Sequence, residues 1–511
     1  MIGKNTVFGI VASAVQIGTR FITIPVVIYH LGLGGYGIWS IIMATAGYMR
    51  FGSAGIKSAF QKYVAEATGT GDFDTANKLL STGSISMLLL SLAGLIPIAI
   101  FSQKLAVVSG VPPEFLFAAS KSITLLAVIM LASNFGAVFE SVVMGGHRID
   151  LTRTFSIFTT TGEAIAIVTL LYFGHGLFAM SATIAASEII YVSCCFVASR
   201  RIVPQMHIRL KYFTHSVFPE LIRYAGSYQL VNVLELFYAM LLPVTVLKYC
   251  GAETAGVYSI VLRVVAAALI AEDALILPIL SGGTVMLASG SSERIGRFFK
   301  KSFKATLAVT LAPLAFVAVF GTILIFAWTG QTGPEFRTTL WLMCLAGLFQ
   351  SISRLQLILY RASGHALHDN IRQAFRLAVL VVLAFFGGVI GFYGILAVLA
   401  VAEFLGVVYM FFAMTSALGD FRPKDLVPDA MRLTAATLLL ITAGIAVAMT
   451  PAPWAISARM IAAVKLGEVS LACLIAFLPA IVLTRSATVE EQGTVLGLLC
   501  PWRKTATVAN E

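Results

Sequence analysis

The sequence contains few charged residues for its length. Only 12% of its 511 residues are Asp, Glu, Lys or Arg, whereas 59% are hydrophobic. A water-soluble domain has about a quarter of its residues charged, and half that amount cannot cover the surface of a soluble fold of this size. This scarcity excludes a soluble multidomain protein, an intrinsically disordered chain and a secreted enzyme. It predicts a polytopic membrane protein.

Cysteine is also scarce and forms no recognisable motif. The six cysteines are scattered, mostly within apolar runs, and no C-x-x-C pair occurs. A disulfide framework and a zinc site are therefore unsupported, and we predict no metal site.

Long apolar runs dominate the chain, and a helix that crosses a bilayer needs about 20 mostly apolar residues. Fourteen stretches qualify, which we number spans 1 to 14, and the predicted fold class is an all-α polytopic membrane protein. The spans cover roughly residues 7–29, 36–57, 81–103, 116–143, 154–173, 177–198, 225–247, 256–279, 305–328, 338–360, 372–390, 394–417, 433–450 and 461–484.

Basic residues fall mainly in loops on one side of the predicted membrane, which the positive-inside rule makes the cytoplasmic side. Lys57, Arg153, Arg361, Arg372 and Arg376 are among them. Both termini are therefore predicted to be cytoplasmic. The net charge of +11 then reflects membrane topology and anionic lipid, and no nucleic-acid partner is predicted.

An internal repeat relates spans 1 and 2 to spans 7 and 8. The turn Gly32-Leu-Gly-Gly-Tyr-Gly-Ile-Trp-Ser40 is matched 219 residues later by Gly251-Ala-Glu-Thr-Ala-Gly-Val-Tyr-Ser259. Pro25 in span 1 has a near counterpart in Pro243 of span 7. The repeat predicts two six-helix lobes of the same orientation, and proline-interrupted helices at equivalent places point to the central site of a transporter.

The repeat also predicts the division of the chain into segments. These are an N-lobe at 1–200, a basic cytoplasmic linker at 201–224, a C-lobe at 225–418, a second linker at 419–432, two additional helices at 433–484 and a cytoplasmic tail at 485–511.

Four arginines inside the predicted spans are not assigned to either side of the membrane, and a charge there costs roughly 2.5 kcal/mol or more unless it faces water or a partner. Arg20, Arg50 and Arg263 belong to spans 1, 2 and 8, which the repeat places around one axis. Guanidinium groups bind phosphate oxygens in pairs, so we predict that these three bind a polyanion such as pyrophosphate. Arg354, near the end of span 10, is a secondary candidate that could instead pair with a carboxylate or extend to the membrane surface.

Acidic residues inside the spans are candidates for ion coupling. Glu235 lies near the middle of span 7 and is the favoured one, while Glu163 and Glu188 are secondary. Proton or sodium coupling is one interpretation, and ion pairing with the arginines is the alternative. No cofactor is predicted.

Three segments near the start of the chain resemble a known family. They read Gly32-x-x-Gly-Tyr36-Gly-Ile-Trp-Ser, Phe51-Gly-Ser-Ala-Gly55-Ile, and Lys62-Tyr-Val-Ala-Glu66 followed by Gly69-Thr-Gly-Asp72. These residues resemble the start of bacterial polysaccharide flippases of the Wzx/O-antigen type. That family belongs to the MOP superfamily, together with the MATE multidrug exporters and the lipid II flippase.

The resemblance implies alternating access by two lobes in a bacterial inner membrane. It implies an undecaprenyl-pyrophosphate-linked oligosaccharide as cargo, with membrane lipids and other polysaccharide-assembly proteins as partners. In the lipid II flippase, arginines on helices 1, 2 and 8 line the cavity, and Arg20, Arg50 and Arg263 match them by helix and depth. That flippase also has fourteen helices, the last two forming a groove for the lipid tail. Many polysaccharide flippases have twelve, so spans 13 and 14 depart from the family's usual pattern.

Three other functions remain open at this stage. A MATE-like, cation-coupled exporter of small molecules would share the fold, although its cavity should favour acids. A membrane glycan polymerase or ligase would need a large outer loop, which the sequence lacks, so no enzyme is predicted. A non-transporting scaffold of a glycan-assembly complex is the third.

Overall fold

The structure is a computed structural model that describes residues 2–49, 54–214, 218–288, 292–362, 367–418, 423–450 and 458–484. Within these ranges the chain forms fourteen α-helices, two short 3-10 helices and no strand, which confirms the predicted all-α class. The α-helices are α1 (Ile2–Met49), α2 (Ala54–Thr70), α3 (Phe73–Ile100), α4 (Ser102–Val108), α5 (Pro113–Gly145), α6 (Ile149–Tyr172), α7 (Leu177–Ile202), α8 (Phe218–Ala268), α9 (Ile270–Ala288), α10 (Ser292–Thr329), α11 (Pro334–Ala362), α12 (Leu367–Leu418), α13 (Val427–Ala448) and α14 (Ala458–Leu483).

Eleven helical stretches of the described residues are long and apolar enough to cross a membrane. Three of them are long because each contains residues of two predicted spans, namely Val11–Thr45, Phe237–Ala268 and Asn370–Ala413. Counted in this way, each of the fourteen predicted spans lies mostly on helix where the structure describes it.

Each of the three long helices contains one glycine with a left-handed backbone. Gly32 has a φ of 71°, Gly251 a φ of 86° and Gly391 a φ of 72°. Residues with a Cβ rarely adopt these angles, so the glycines mark the points where one predicted span turns into the next. Gly32 and Gly251 are 219 residues apart, which is the offset of the internal repeat, so the same backbone conformation recurs at equivalent positions of the two repeats.

Predicted span 8 is interrupted at one residue. α8 ends at Ala268 and α9 begins at Ile270. Span 8 was predicted to run unbroken through this point, and that prediction is wrong. The Leu269 N–H donates to the Ala266 carbonyl and the Glu272 N–H donates to the Leu269 carbonyl, so i→i+3 bonds tighten the chain before α9 starts.

The chain divides into two compact units. Unit 1 comprises Met1–Ile260 with Asp369–Ile395, and unit 2 comprises Val261–His368 with Leu396–Glu511. These units cut across α8 and α12, whereas the predicted lobes would end between helices. The predicted lobes and linkers therefore stay a prediction.

In unit 1, the chain that follows α7 lies against the side of α3. The Asn77 side chain donates to the Gln205 carbonyl (3.1 Å) and accepts from the His207 N–H (2.7 Å). Ser81 repeats the pattern one helical turn later, donating to the His207 carbonyl and accepting from the Arg209 N–H (3.2 Å). Side chains of α3 thus provide the hydrogen-bond partners of backbone N–H and C=O groups in this non-helical stretch of chain. We call this contact the linker clamp, since it lies within the predicted basic linker.

The repeated glycine turns of unit 1 interlock. A Cβ atom added to Gly37 would overlap the carbonyl oxygen of Ala252, and one added to Gly256 would overlap the carbonyl oxygen of Leu33. Trp39 beside this contact is buried. Only glycine allows two backbones to approach so closely, which explains why glycine stands at this place in both repeats.

The short connection between α2 and α3 is ordered by an N-cap. The Asp72 side chain accepts a hydrogen bond from the Thr75 N–H (3.1 Å). That bond stabilises the charged carboxylate and holds the pKa of Asp72 below its ordinary value.

Unit 2 contains the two helices that follow the repeat. α13 and α14 pack on α10 through Phe320, Ile441 and Val469, which are buried together. A Cβ at Gly444 would lie 2.9 Å from the Phe320 ring and 3.0 Å from the Cys473 sulfur, so α13 approaches both neighbours closely. These two helices are therefore an integral part of unit 2.

Candidate functional site

A polar cavity of about 310 Å³ opens in unit 1 between α1, α2, α5, α6 and α7. α1 reaches it just before Pro25, the proline that interrupts this helix. Three of the predicted site residues line it together: Arg20 from α1, Glu163 from α6 and Glu188 from α7. The structure therefore brings together an arginine and two acids that lie far apart in the sequence.

The cavity carries as many basic as acidic side chains. Lys57 and Arg153 join Arg20, and Glu140 joins the two predicted acids. The Lys57 Nζ atom lies 2.6 Å from a carboxylate oxygen of Glu140. The sequence had assigned Lys57 and Arg153 to membrane topology, so their place in the cavity was missed. Both lie at or next to the end of a predicted span, and a basic residue at such a position is expected whether it faces the membrane surface or lines a cavity.

The two predicted acids are both held in place. Glu188 accepts a hydrogen bond from the Ser133 hydroxyl at 3.0 Å, and Glu163 is half-buried. Arg20 is exposed. Arg20 is therefore the most exposed of these three residues, and Glu163 and Glu188 are both half-buried.

Neutral polar groups make up most of the remaining lining. Thr19 donates its hydroxyl proton to the Val15 carbonyl (2.9 Å), and Thr159 donates to the Phe155 carbonyl (2.9 Å). Such bonds within a helix use the proton of the hydroxyl but leave lone pairs on its oxygen. The cavity therefore presents hydrogen-bond acceptors on its hydroxyl-bearing walls and donors on its basic side chains.

The other predicted site residues lie elsewhere. Arg50 falls outside the described residues, and the Glu235 side chain does too, although its backbone belongs to α8. Arg263 is half-buried and belongs to unit 2. Arg354 pairs with Asp273 at 3.1 Å within unit 2, which is the carboxylate pairing that the sequence offered as its alternative role. The predicted roles of Arg50, Arg263 and Glu235 stay predictions.

Two buried arginines that were counted on the cytoplasmic side lie in α12, at the start of predicted span 11. Arg372 and Arg376 are only 4% and 2% exposed. The Arg376 guanidinium lies 3.9 Å from the centroid of the Tyr238 ring, and its Nη1 donates to Gln373 Oε1 at 2.9 Å. A buried guanidinium stacked on an aromatic ring is held by cation–π attraction. The spacing of four residues between the two arginines was the available signal, since it places both on one face of a helix.

Among the described residues, no group of three or more His, Cys, Asp or Glu side chains is arranged to hold a metal ion.

Solved structures with the same fold are transporters of the MOP superfamily. The lipid II flippase MurJ in an inward closed conformation matches with a TM-score of 0.66 and 16% identity, over 93% of this chain and 99% of the flippase. An inward-facing MATE multidrug resistance transporter matches with a TM-score of 0.65 and 14% identity, over 80% of this chain and 98% of the transporter. This chain therefore has the fold of MOP-superfamily transporters.

A third structure is a MOP-superfamily transporter from Pyrococcus furiosus, described as having a binding pocket of reverse polarity that suggests a different function. It matches with a TM-score of 0.57 and 14% identity, over 82% of this chain and 96% of its own. No protein-family model and no curated protein sequence matches the chain. The superfamily expected from the motifs near the start of the chain is thus found among its structural neighbours, while the polysaccharide branch stays a prediction.

Proposed function

We propose that this protein is a flippase for an undecaprenyl-pyrophosphate-linked oligosaccharide, such as an O-antigen or exopolysaccharide repeat unit. It would carry the head group from the cytoplasmic to the periplasmic leaflet of a bacterial inner membrane by alternating access. The observation that carries the proposal is Arg20, an exposed guanidinium in a membrane-spanning helix that lines a polar cavity.

The chemistry of a diphosphate suits this arginine. A guanidinium stays charged at every physiological pH and binds two phosphate oxygens at once. The cost of placing it within the membrane, roughly 2.5 kcal/mol on insertion scales, is offset when a polyanion binds it. The polyprenyl tail remains in the lipid while the polar head occupies the cavity.

The comparisons support a transporter more broadly than they support this cargo. The structural neighbours are transporters and flippases rather than enzymes. The lipid II flippase covers 93% of this chain and the MATE transporter 80%, so the flippase accounts for more of it. That difference favours a lipid-linked cargo.

A MATE-like exporter is the second candidate, and one observation favours it. Glu140, Glu163 and Glu188 line the same cavity as Arg20, and carboxylates attract cationic drugs. Coupling to a proton or sodium gradient, with Glu235 as the predicted site, fits both transporters. A non-transporting scaffold that binds polysaccharide-assembly proteins is the third.

Reconstituted flipping distinguishes these functions. Proteoliposomes would carry fluorescent undecaprenyl-diphosphate oligosaccharide, and ethidium uptake would be measured in parallel. We expect flipping by the wild type and a decrease of about tenfold or more in Arg20→Ala, because a charge-assisted hydrogen bond contributes about 1.5–3 kcal/mol. The matched control is Arg432→Ala, an exposed arginine paired with Asp429 in unit 2.

Full flipping by Arg20→Ala would overturn the role of the arginine. Ethidium uptake without lipid flipping would favour the exporter, and neither activity would favour the scaffold. Arg50→Ala and Arg263→Ala in the same assay test the predicted additional members of the diphosphate clamp.

A further inference from the structure

The cavity of unit 1 is unusually rich in groups that accept hydrogen bonds. The Ser187 hydroxyl donates to the Thr159 carbonyl at 3.2 Å, and Gln16 Nε2 donates to the Ser156 hydroxyl at 3.4 Å. These bonds leave the Ser187 oxygen and the Gln16 amide oxygen available as acceptors. The carboxylates of Glu163 and Glu188 add strong acceptors to the same wall.

The formal charges of the lining cancel. Lys57 and Glu140 form an ion pair at 2.6 Å, and the remaining two cations are matched by the remaining two carboxylates. A ligand with a net charge of either sign would meet as many groups of like charge as of opposite charge. A neutral ligand with many hydroxyl groups can use both sets at once, because each hydroxyl donates one proton and accepts through its oxygen.

The size of the cavity agrees with such a ligand. A volume of about 310 Å³ lies at the lower end of the range for small-molecule sites. This space suits one or two sugar units of a head group.

We propose that the cavity of unit 1 is a sugar-binding subsite that recognises the first sugar residues attached to the diphosphate. The inference rests on the proposed flippase function. Glu163 and Glu188 accept hydrogen bonds from sugar hydroxyls, while the exposed Arg20 binds the diphosphate at the accessible side of the cavity. The half-buried carboxylates therefore determine which head group is accepted, and the arginine contributes affinity that does not depend on the sugar.

Binding measurements on the full chain in lipid nanodiscs separate these two contributions. The probes are undecaprenyl diphosphate and the same lipid carrying a single N-acetylglucosamine, glucose or galactose. We expect the wild type to bind at least one glycosylated lipid about tenfold more tightly than the bare lipid, since a hydrogen bond to a charged group contributes about that factor. Arg20→Ala should weaken all four lipids by a similar factor.

The decisive variant is Glu188→Gln, which keeps the shape of the side chain and removes its charge. We expect it to abolish the preference for the glycosylated lipid and to leave the affinity for the bare lipid within about twofold. Ser187→Ala should reduce the preference partially. Phe158→Leu, on the exposed face of α6, is the control for general effects of substitution and should retain both affinities.

Three outcomes would overturn the subsite. In the first, the wild type binds all four lipids with equal affinity. In the second, both Glu188→Gln and Ser187→Ala keep the full preference for the glycosylated lipid. In the third, the protein binds tetraphenylphosphonium in place of the lipids, and this binding depends on Glu188. Absence of binding to any diphosphate lipid would overturn the flippase proposal as well. If only the subsite proposal is wrong, the protein still binds the bare lipid tightly and this binding depends on Arg20. The failure of the subsite proposal and the failure of the flippase proposal are therefore distinguishable.

Discussion

Gly37 and Gly256 occupy equivalent positions in the two repeats, and each packs against a backbone carbonyl of the other repeat's turn. The partner of Gly37 is Ala252 and the partner of Gly256 is Leu33, and these partners are themselves equivalent positions. The contact is thus symmetric about the axis of the repeat, which is the expected form when two copies of one motif meet.

Replacing Gly37 by alanine should disrupt this contact. The new methyl group would overlap the Ala252 carbonyl, and overpacking of this kind costs about 1–3 kcal/mol. We expect a clear decrease in the thermal unfolding temperature in detergent. Gly34→Ala is the control, because its methyl group would lie 3.4 Å from the Ala252 Cβ atom, an ordinary contact. Equal unfolding temperatures for the two variants would contradict the close approach.

The linker clamp should protect the chain after α7 from proteolysis. Asn77→Ala removes a buried side chain that donates to Gln205 and accepts from His207, and a hydrogen bond of this kind contributes about 0.5–1.5 kcal/mol. We expect trypsin to cut at Arg209 at least several times faster in this variant than in the wild type. Asp74→Ala, which removes only an exposed pair with Lys78, should leave the rate unchanged. An unchanged rate in Asn77→Ala would show that the clamp does not hold the linker.

Arg376 and Tyr238 should be energetically coupled. A double-mutant cycle with Arg376→Met and Tyr238→Leu, measured by unfolding in SDS, should give a coupling free energy of about 2 kcal/mol, as for a desolvated cation–π pair. The control cycle uses Lys211 and Tyr212, an exposed pair at 4.8 Å, where less than about 1 kcal/mol is expected. Coupling below that of the exposed pair would contradict the stacking.

The N-cap of α3 should be lost in acid. Because the pKa of Asp72 is lower in the folded protein than its ordinary value of 3.8, the cap stabilises the helix start fully above that value. This stabilisation disappears as the pH falls through the lowered pKa. We expect the protection factor of the Thr75 amide to decrease below about pH 4 in the wild type, and to be low at every pH in Asp72→Ala. A pH-independent difference between the two proteins would argue against the charged cap.

The number of spans and the repeat could be predicted because they depend on local signals. Apolar length predicts a span wherever the chain lies, and the glycines at 32 and 251 mark turns that only glycine tolerates. Even here, the break at Leu269 was missed. It depends on a turn beside Glu272, a buried acid that the Ser351 hydroxyl holds at 2.5 Å, and an average over apolar residues does not detect one such contact.

The site was harder to predict, since a basic residue near the end of a span has the same sequence signature in several roles. Arg20 stood out because it lies well inside a span. Lys57 lines the cavity, Arg376 is buried on an aromatic ring, and the Arg361 side chain falls outside the described residues. All three looked alike as topology signals. Lys57 and Arg376 can be distinguished from an ordinary membrane-surface residue only when one knows which helices, distant in sequence, pack around them.

Unit 1 becomes complete only late in translation. Its first part ends at Ile260, but its last part, Asp369–Ile395, leaves the ribosome after the whole of Val261–His368. Until then the hydroxyl of Tyr249 lacks the Ala384 carbonyl to which it donates at 2.7 Å. A nascent chain that stalls before this point presents the membrane insertion machinery with an unfinished unit, and this intermediate persists while the whole of Val261–His368 is synthesised.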